Sequence, residues 1–161
     1  GTLRIINTTV TLPVGDFPTI EDAQAEFDKA VETLNDARNN ETEANIKLAV
    51  SNAKRAGFVL GNATRTADGP MAMPVQAMRI GSAALVAIPV EAFCEIGIAV
   101  KGASPAEQTL FSGYTNGSMG YMPMADNFEE GGYEVVTTPM AAGAAEETIS
   151  ACSDAVQALW R

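Results

Sequence analysis

The segment MPVQAMRIGSAALVAIP, Met73–Pro89, limits the choice of fold more than any other stretch of this chain. It reads as two strands joined at Gly81-Ser82, a dipeptide suited to a tight hairpin turn. Two further stretches have strand character. One is LRIINTTVTLP, alternating and β-branched from Leu3 to Leu12; the other is QTLFSGY, from Gln108. Pro13, Gly15 and Pro18 end the first strand, and Thr19 with Asp22 makes a helix cap with a capping acid. Ile20, Ala23, Phe27, Val31 and Leu34 then recur at helical spacing and predict a helix as far as Arg38. A second helix is expected over Glu43–Leu60, with Ile46, Val50, Ala53 and Leu60 near one face. After Pro89 the period changes again: Phe93, Ile96 and Val100 predict a helix from Val90 to Lys101. The tail predicts a last helix capped by Thr138, with Pro139 in its first turn and a stripe of Ile149, Cys152, Val156 and Leu159. Strand, two helices, hairpin, helix, strand, loop and helix is the order of an α/β fold. We expect a mixed sheet with helices packed on it, within a single domain spanning residues 1–161.

Composition narrows the function. A net charge of -10 with only 10 Lys and Arg leaves no basic patch, which argues against nucleic acid as a partner. The longest apolar run, AALVAIPV, is too short to span a bilayer, and no signal peptide is recognisable at Gly1. Cys94 and Cys152 are sparse and fall on predicted helices, where cysteine usually behaves as a small buried hydrophobe; the sequence leaves a disulfide between them open. The chain has no histidine, so it cannot by itself run a histidine-based hydrolysis. A metal held by this chain alone would need carboxylates, carbonyls, thiols or a phenolate.

The loop GYTNGSMGYMP, Gly113–Pro123, places two tyrosines, an asparagine and three glycines directly after a strand. So much backbone freedom there serves to aim a side chain. Tyr121, Tyr114 and Tyr133 can each bury a ring and leave the hydroxyl at the surface. Asn116 can close the turn through its own side chain, and Gly113, Gly117 and Gly120 can supply unusual dihedrals. Glu91 stands just past the LVAIPV strand. It either complements the dipole of the helix predicted there or projects from the sheet edge, and Glu95 lies one turn on. Such a carboxylate pair binds a cation or is simply solvated. Ser112 and Ser118 lack a histidine partner, the cysteines lack zinc-site spacing, and GASPAE and GNATRTADGP lack the phosphate-loop pattern.

RIGSAALVAIPVEAFCEIG, followed after a loop by FSGYTNGSMGYMPMADNFEEGGYEV, resembles the carboxyl-terminal part of the catalytic domain of the neutral/alkaline ceramidase family. The upstream VTLPVGDFPTIEDAQAEF is similar to that family's Leu-Pro segment leading into a helical excursion. The resemblance covers most of the chain and is strongest from Arg79 to Val135. It implies a zinc amidohydrolase acting on an N-acyl amide such as N-acylsphingosine. Glu91 matches the family's metal-binding glutamate and Tyr121 its metal-binding tyrosine. Asn116, Gly117 and Gly120 would then shape the loop, and Glu95 would support the ligands from behind. The family's two zinc-binding histidines and its catalytic serine belong to the preceding half of the domain. The resemblance therefore implies that this chain is inactive alone and that a histidine-bearing half or companion chain, or self-association, covers its apolar surface. It also favours an extracytoplasmic setting. Val90 stands where the family often has glycine, which predicts a changed backbone approach beside Glu91. The alternative is a binding or interaction module that kept the fold without the chemistry.

Overall fold

The structure, a computed structural model, describes residues 1–161. The chain divides into two compact units, Asp16–Gly69 and the remainder. The first, inserted in sequence after strand β1 (Leu3–Leu12), is a pair of helices, α1 (Ile20–Asn40) and α2 (Glu43–Arg65). Both start as the sequence predicts. The Thr19 hydroxyl accepts the Asp22 N–H at 3.1 Å and donates to its carboxylate at 2.7 Å, while Thr42 accepts the Asn45 N–H. Ala23, Ala37, Ala49, Ala53 and Ala63 are buried. Gly57 stands so near Phe27 that a Cβ there would lie 3.3 Å from the ring, a close approach that small residues permit.

The second unit begins with β1 and continues with β2 (Met71–Ile80), β3 (Ala83–Ala87), β4 (Glu91–Ala92), α3 (Cys94–Ala103) and β5 (Gln108–Ser112). It ends with β6 (Tyr121–Met122), α4 (Asn127–Glu130), α5 (Tyr133–Thr137) and α6 (Ala144–Ala158). Four strands form a mixed sheet in the order β1-β2-β3-β5, as the α/β reading requires. β1, β2 and β3 are antiparallel neighbours; the turn at Gly81, φ 63°, closes the β2–β3 hairpin where the sequence placed it. β5 returns parallel to β3 after a crossover containing α3. Pro74 sits on a central strand, but β3 pairs only with Gln76–Ile80, so the proline lies where β2 has a ladder on one side alone.

The two faces of this sheet differ in kind. One carries Met73, Val75, Ala77, Ala84 and Val86 into a core shared with Ile96 and Val100 of α3 and Cys152, Ala155 and Val156 of α6. Each large apolar side chain fully buried there contributes about 1.5–3 kcal/mol. Two arginines on that face are consumed at the end of α6: Arg4 and Arg79 donate to the Leu159 carbonyl, and Arg79 stacks 4.3 Å from the Trp160 ring centre. The opposite face is uncharged. Register sets Ile5, Met78, Leu85 and Leu110 in one row straight across all four strands. Leu3, Ile80, Ala83 and Gln108 form the row on one side of it, and Asn7, Gln76, Ala87 and Ser112 the row on the other.

Three local expectations are corrected. The helix expected from Val90 begins at Cys94, and residues 91–92 are strand. Thr138 does not cap the last helix, which starts at Ala144 after Gly143 at φ 96°. Cys94 is exposed and not a buried hydrophobe, whereas Cys152 is buried; both are free thiols, and burial pushes Cys152 up to about 12.

Candidate functional site

β3 and β5 run parallel and side by side, and the chain leaves both in the same direction. Beyond β3 come Ile88, Pro89, Val90 and Glu91; beyond β5 come Gly113 and Tyr114. The carboxyl ends of adjacent parallel strands are where α/β sheets gather ligands. Here the two exits are laced together by backbone hydrogen bonds: Ile88 N–H to the Ser112 carbonyl, Tyr114 N–H to Val90, Thr115 N–H to Ile88 and Met119 N–H to Pro89. Gly113 is required by this lacing. A Cβ on it would stand 2.7 Å from the Val90 carbonyl oxygen, which is backbone and cannot yield cheaply. The close approach beside the glutamate is thus supplied by Gly113, and Val90 is free to send its side chain into the core, where it is fully buried.

The loop turns through left-handed backbone. Tyr114 at φ 52°, Asn116 at φ 62°, Gly117 at φ 153° and Gly120 at φ 98° bring the chain back to the Pro89–Glu91 segment. Asparagine and glycine suit such positions; tyrosine does not, and Tyr114 is held there by its neighbours. The returning chain forms β6 and pairs in parallel with β4, placing Tyr121 opposite Glu91 and Met122 opposite Ala92. The Glu91 N–H donates to the Gly120 carbonyl at 3.0 Å. Thr138, buried, donates its hydroxyl to the Tyr121 carbonyl at 2.6 Å and accepts the Met140 N–H at 3.1 Å, fixing β6 from the other side.

Glu91 and Tyr121, singled out separately in the sequence, are therefore direct partners. Tyr114 joins them: its hydroxyl donates a short hydrogen bond to the Glu91 carboxylate. That bond, with some burial and the Glu91 charge, pushes the Tyr114 phenol up to about 12. Tyr121 is raised too, first by hydrogen bonding toward Glu91, then by burial and by the charges around it, Glu134 among them. Tyr133 packs edge-on to Tyr121, ring centres 5.9 Å apart. Glu95 does not join the group. Because Glu91 is strand and not helix, the two acids are not one helical turn apart; Glu95 instead accepts the Cys94 thiol at 3.3 Å and raises its pKa. Glu91, Tyr114, Phe93, Cys94, Gly97 and Phe111 line a cavity of about 240 Å³ beside the carboxylate.

No three side chains of the histidine, cysteine, aspartate and glutamate kinds converge here or elsewhere in the chain. One carboxylate flanked by phenols is a donor set of oxygens only. It fits part of a zinc site, whose remaining ligands would have to come from another polypeptide. Without a cation, the same carboxylate keeps both phenols protonated; a bound divalent ion would reverse that preference. Nothing local in the sequence marks Tyr114 as the partner of Glu91 or Thr138 as the brace of Tyr121.

No family model matches the chain, and no curated protein matches it. Solved structures do. The crystal structure of neutral ceramidase from Pseudomonas aeruginosa is similar to this chain with a TM-score of 0.51 and 26% identity over 56% of it. A ceramidase complexed with C2 gives the same values. The chain spans only 15% of the length of either of those chains. No helix is long and apolar enough to cross a membrane.

Proposed function

We propose that this chain is the carboxyl-terminal portion of the catalytic domain of a ceramidase-like zinc amidohydrolase, residues 1–161 belonging to one larger domain. The observation that carries the reading is the pairing of Glu91 with Tyr121 across β4 and β6, at the carboxyl ends of β3 and β5. The similarity to neutral ceramidase supports it. In this reading Glu91 and Tyr121 hold one side of the zinc, and histidines outside the chain hold the other. Zinc, when bound, lowers the pKa of water toward ~7 and polarises the amide carbonyl. The chain's own residues do the positioning. Glu91 brings the negative charge that draws a cation, Tyr121 stands opposite it, and Tyr114 holds the carboxylate in place until the site is complete. Asn116, Gly117 and Gly120 bend the loop so that Tyr121 comes back to Glu91. The substrate is a linear N-acyl amide of the ceramide kind, met in an extracytoplasmic setting. Alone, the chain is inactive.

The absence of any three-donor cluster also fits a second reading, a binding module that kept the fold without the metal. Zinc analysis separates the two. Purified alone, the chain should bind no stoichiometric zinc. Co-produced with the histidine-bearing polypeptide encoded beside it, the pair should carry one zinc, lost in Glu91→Ala and weakened in Tyr121→Phe. A pair that stays metal-free, or a coding region with no such polypeptide, would leave the module reading in possession.

A further inference from the structure

The helical hairpin of α1 and α2 buries no large apolar side chain. Its buried apolar residues are alanines alone: Ala23, Ala37, Ala49, Ala53 and Ala63. Every larger one, from Phe27 and Val31 to Val50 and Leu60, stays at least partly open. Alanine recurs every seventh residue on both helices, at 23, 30 and 37 and at 49, 56 and 63. A seam of that kind brings two helices close together but buries little area. Helical spacing divides the hairpin into two broad sides. One carries Val31 on α1 and Val50 on α2, with the Phe27 ring lying against Gly57. The other carries Glu26, Thr33, Asn45 and Asn52 and, apart from Val59, is polar. The pair is thus amphipathic on one side, as two layers of a bundle are, and has only one layer.

We propose that a second copy of this chain supplies the other layer, two hairpins closing into an antiparallel four-helix bundle with α1 of each over α2 of the other. Charge selects both the occupant and its orientation. α1 carries six acids and two bases, α2 four bases and one acid. Helical spacing sets Glu21 and Asp28 along the outer edge of the apolar side on α1, and Lys47 and Lys54 along its outer edge on α2. These edges lie on opposite flanks of one hairpin and cannot neutralise each other; Lys47 pairs with Glu43 of its own helix at 2.8 Å. A copy turned about a two-fold axis parallel to the helices lays each acidic edge on a basic one, twice over. Turned about an axis across the helices, it would lay acid on acid. The area suffices as well. α1 has 21 residues, about 30 Å of helix, and two helices side by side are about 20 Å wide, so the two copies together bury roughly 1,200 Å², enough for a specific dimer. The metal plays no part in this contact.

Sedimentation equilibrium of the full chain tests the bundle through exposed residues alone. Wild type should dimerise reversibly as its concentration is raised through the micromolar range. Lys47→Glu/Lys54→Glu sets acid against acid at both edges, and Glu21→Lys/Asp28→Lys sets base against base. Each should raise the dissociation constant at least about tenfold. Circular dichroism should find both variants folded, because all four positions already face solvent. An equimolar mixture of the two restores opposite charges at both edges and should dimerise as wild type does, which unfolded variants could not. A wild-type chain that stays monomeric overturns the proposal. So do charge reversals that leave the dimer as tight as before, or a mixture that fails to recover it. Ile5→Lys/Leu110→Lys, on the exposed face of the four-stranded sheet, should dimerise like wild type. A dimer abolished by that pair would be seated on the sheet and would overturn the proposal too.

Discussion

β2 and its neighbours form ladders of up to ten residue pairs, while β4 and β6 share two. The long sheet is secured by side chains: Met73, Val75 and Val86 are fully buried against α3 and α6, and the strands would lose their core without them. The short one anchors Met122 in the same core, but the loop beside it stays open, with Tyr114 54% exposed. Its geometry is set chiefly by backbone bonds between the β3 and β5 exits, by one glycine without room for a Cβ, and by the Thr138 hydroxyl. A scaffold stabilised mainly by burial can carry a site whose exposed side chains add little to stability, because those side chains need only to be positioned. Side-chain packing and backbone lacing should then fail separately.

Met73→Ala tests the first half and should have the largest effect. The side chain is fully buried in the four-stranded sheet, so truncation should cost about 2–5 kcal/mol by urea denaturation. In the fraction that stays folded, tyrosine NMR should still find Tyr114 titrating up near 12, because nothing around Glu91 has moved. If that phenol falls with the stability, the two sheets form one cooperative unit and the distinction collapses.

Gly113→Ala tests the second half. The added methyl meets the Val90 carbonyl and should cost about 1–3 kcal/mol, less than the core truncation. Its signature is at the site. Displacing Val90 or Tyr114 breaks the Tyr114 N–H bond to Val90 and draws the phenol off Glu91. The bond and the negative charge of Glu91 both favour the neutral phenol, so their loss should move the pKa down toward the ordinary 10.0. A phenol that stays high in this variant would show that side chains alone hold the pair together.

The same difference decides what could be read from the sequence. Period-two and helical patterns report burial, and they locate β1, the β2–β3 hairpin, β5, the helices α1 and α2 and the stripe of α6. Glu91 and Tyr121 were legible as placed residues, on strand exits and through the ceramidase-like motif. Their lacing was not. A two-residue strand has no period, so the pattern runs β4 into the helix that follows it and lends Glu95 a face it does not share. Thr138 before Pro139 has the composition of a helix cap. Its residue is extended, φ -70° and ψ 140°, as the following proline prefers, and its hydroxyl is spent on Tyr121, seventeen residues back. Tyr114 is equivalent to Tyr133 in the sequence because nothing local distinguishes a tyrosine at φ 52° from one at a helix start. These are contacts between segments, which residue-by-residue pattern does not carry.

Asn116 gives the finest test of the lacing, with the smallest expected effect. It is left-handed at φ 62° and its side chain is exposed, so its contribution should be conformational. Asn116→Gly keeps that conformation available. The entropy that glycine adds to the unfolded chain and the relief of left-handed strain roughly offset, so stability should stay within about 0.5 kcal/mol. Asn116→Ala must instead hold alanine in a conformation that costs roughly 1–2 kcal/mol. If Asn116 acts only through its backbone, the glycine variant should leave the Tyr114 titration unchanged and, in the proposed zinc-bearing pair, the metal content intact. Should it lose the metal while keeping its stability, the carboxamide itself reaches the site. The loop would then contribute a side chain as well as a shape, and the line drawn between a packed sheet and a laced one would have to run on the far side of Asn116.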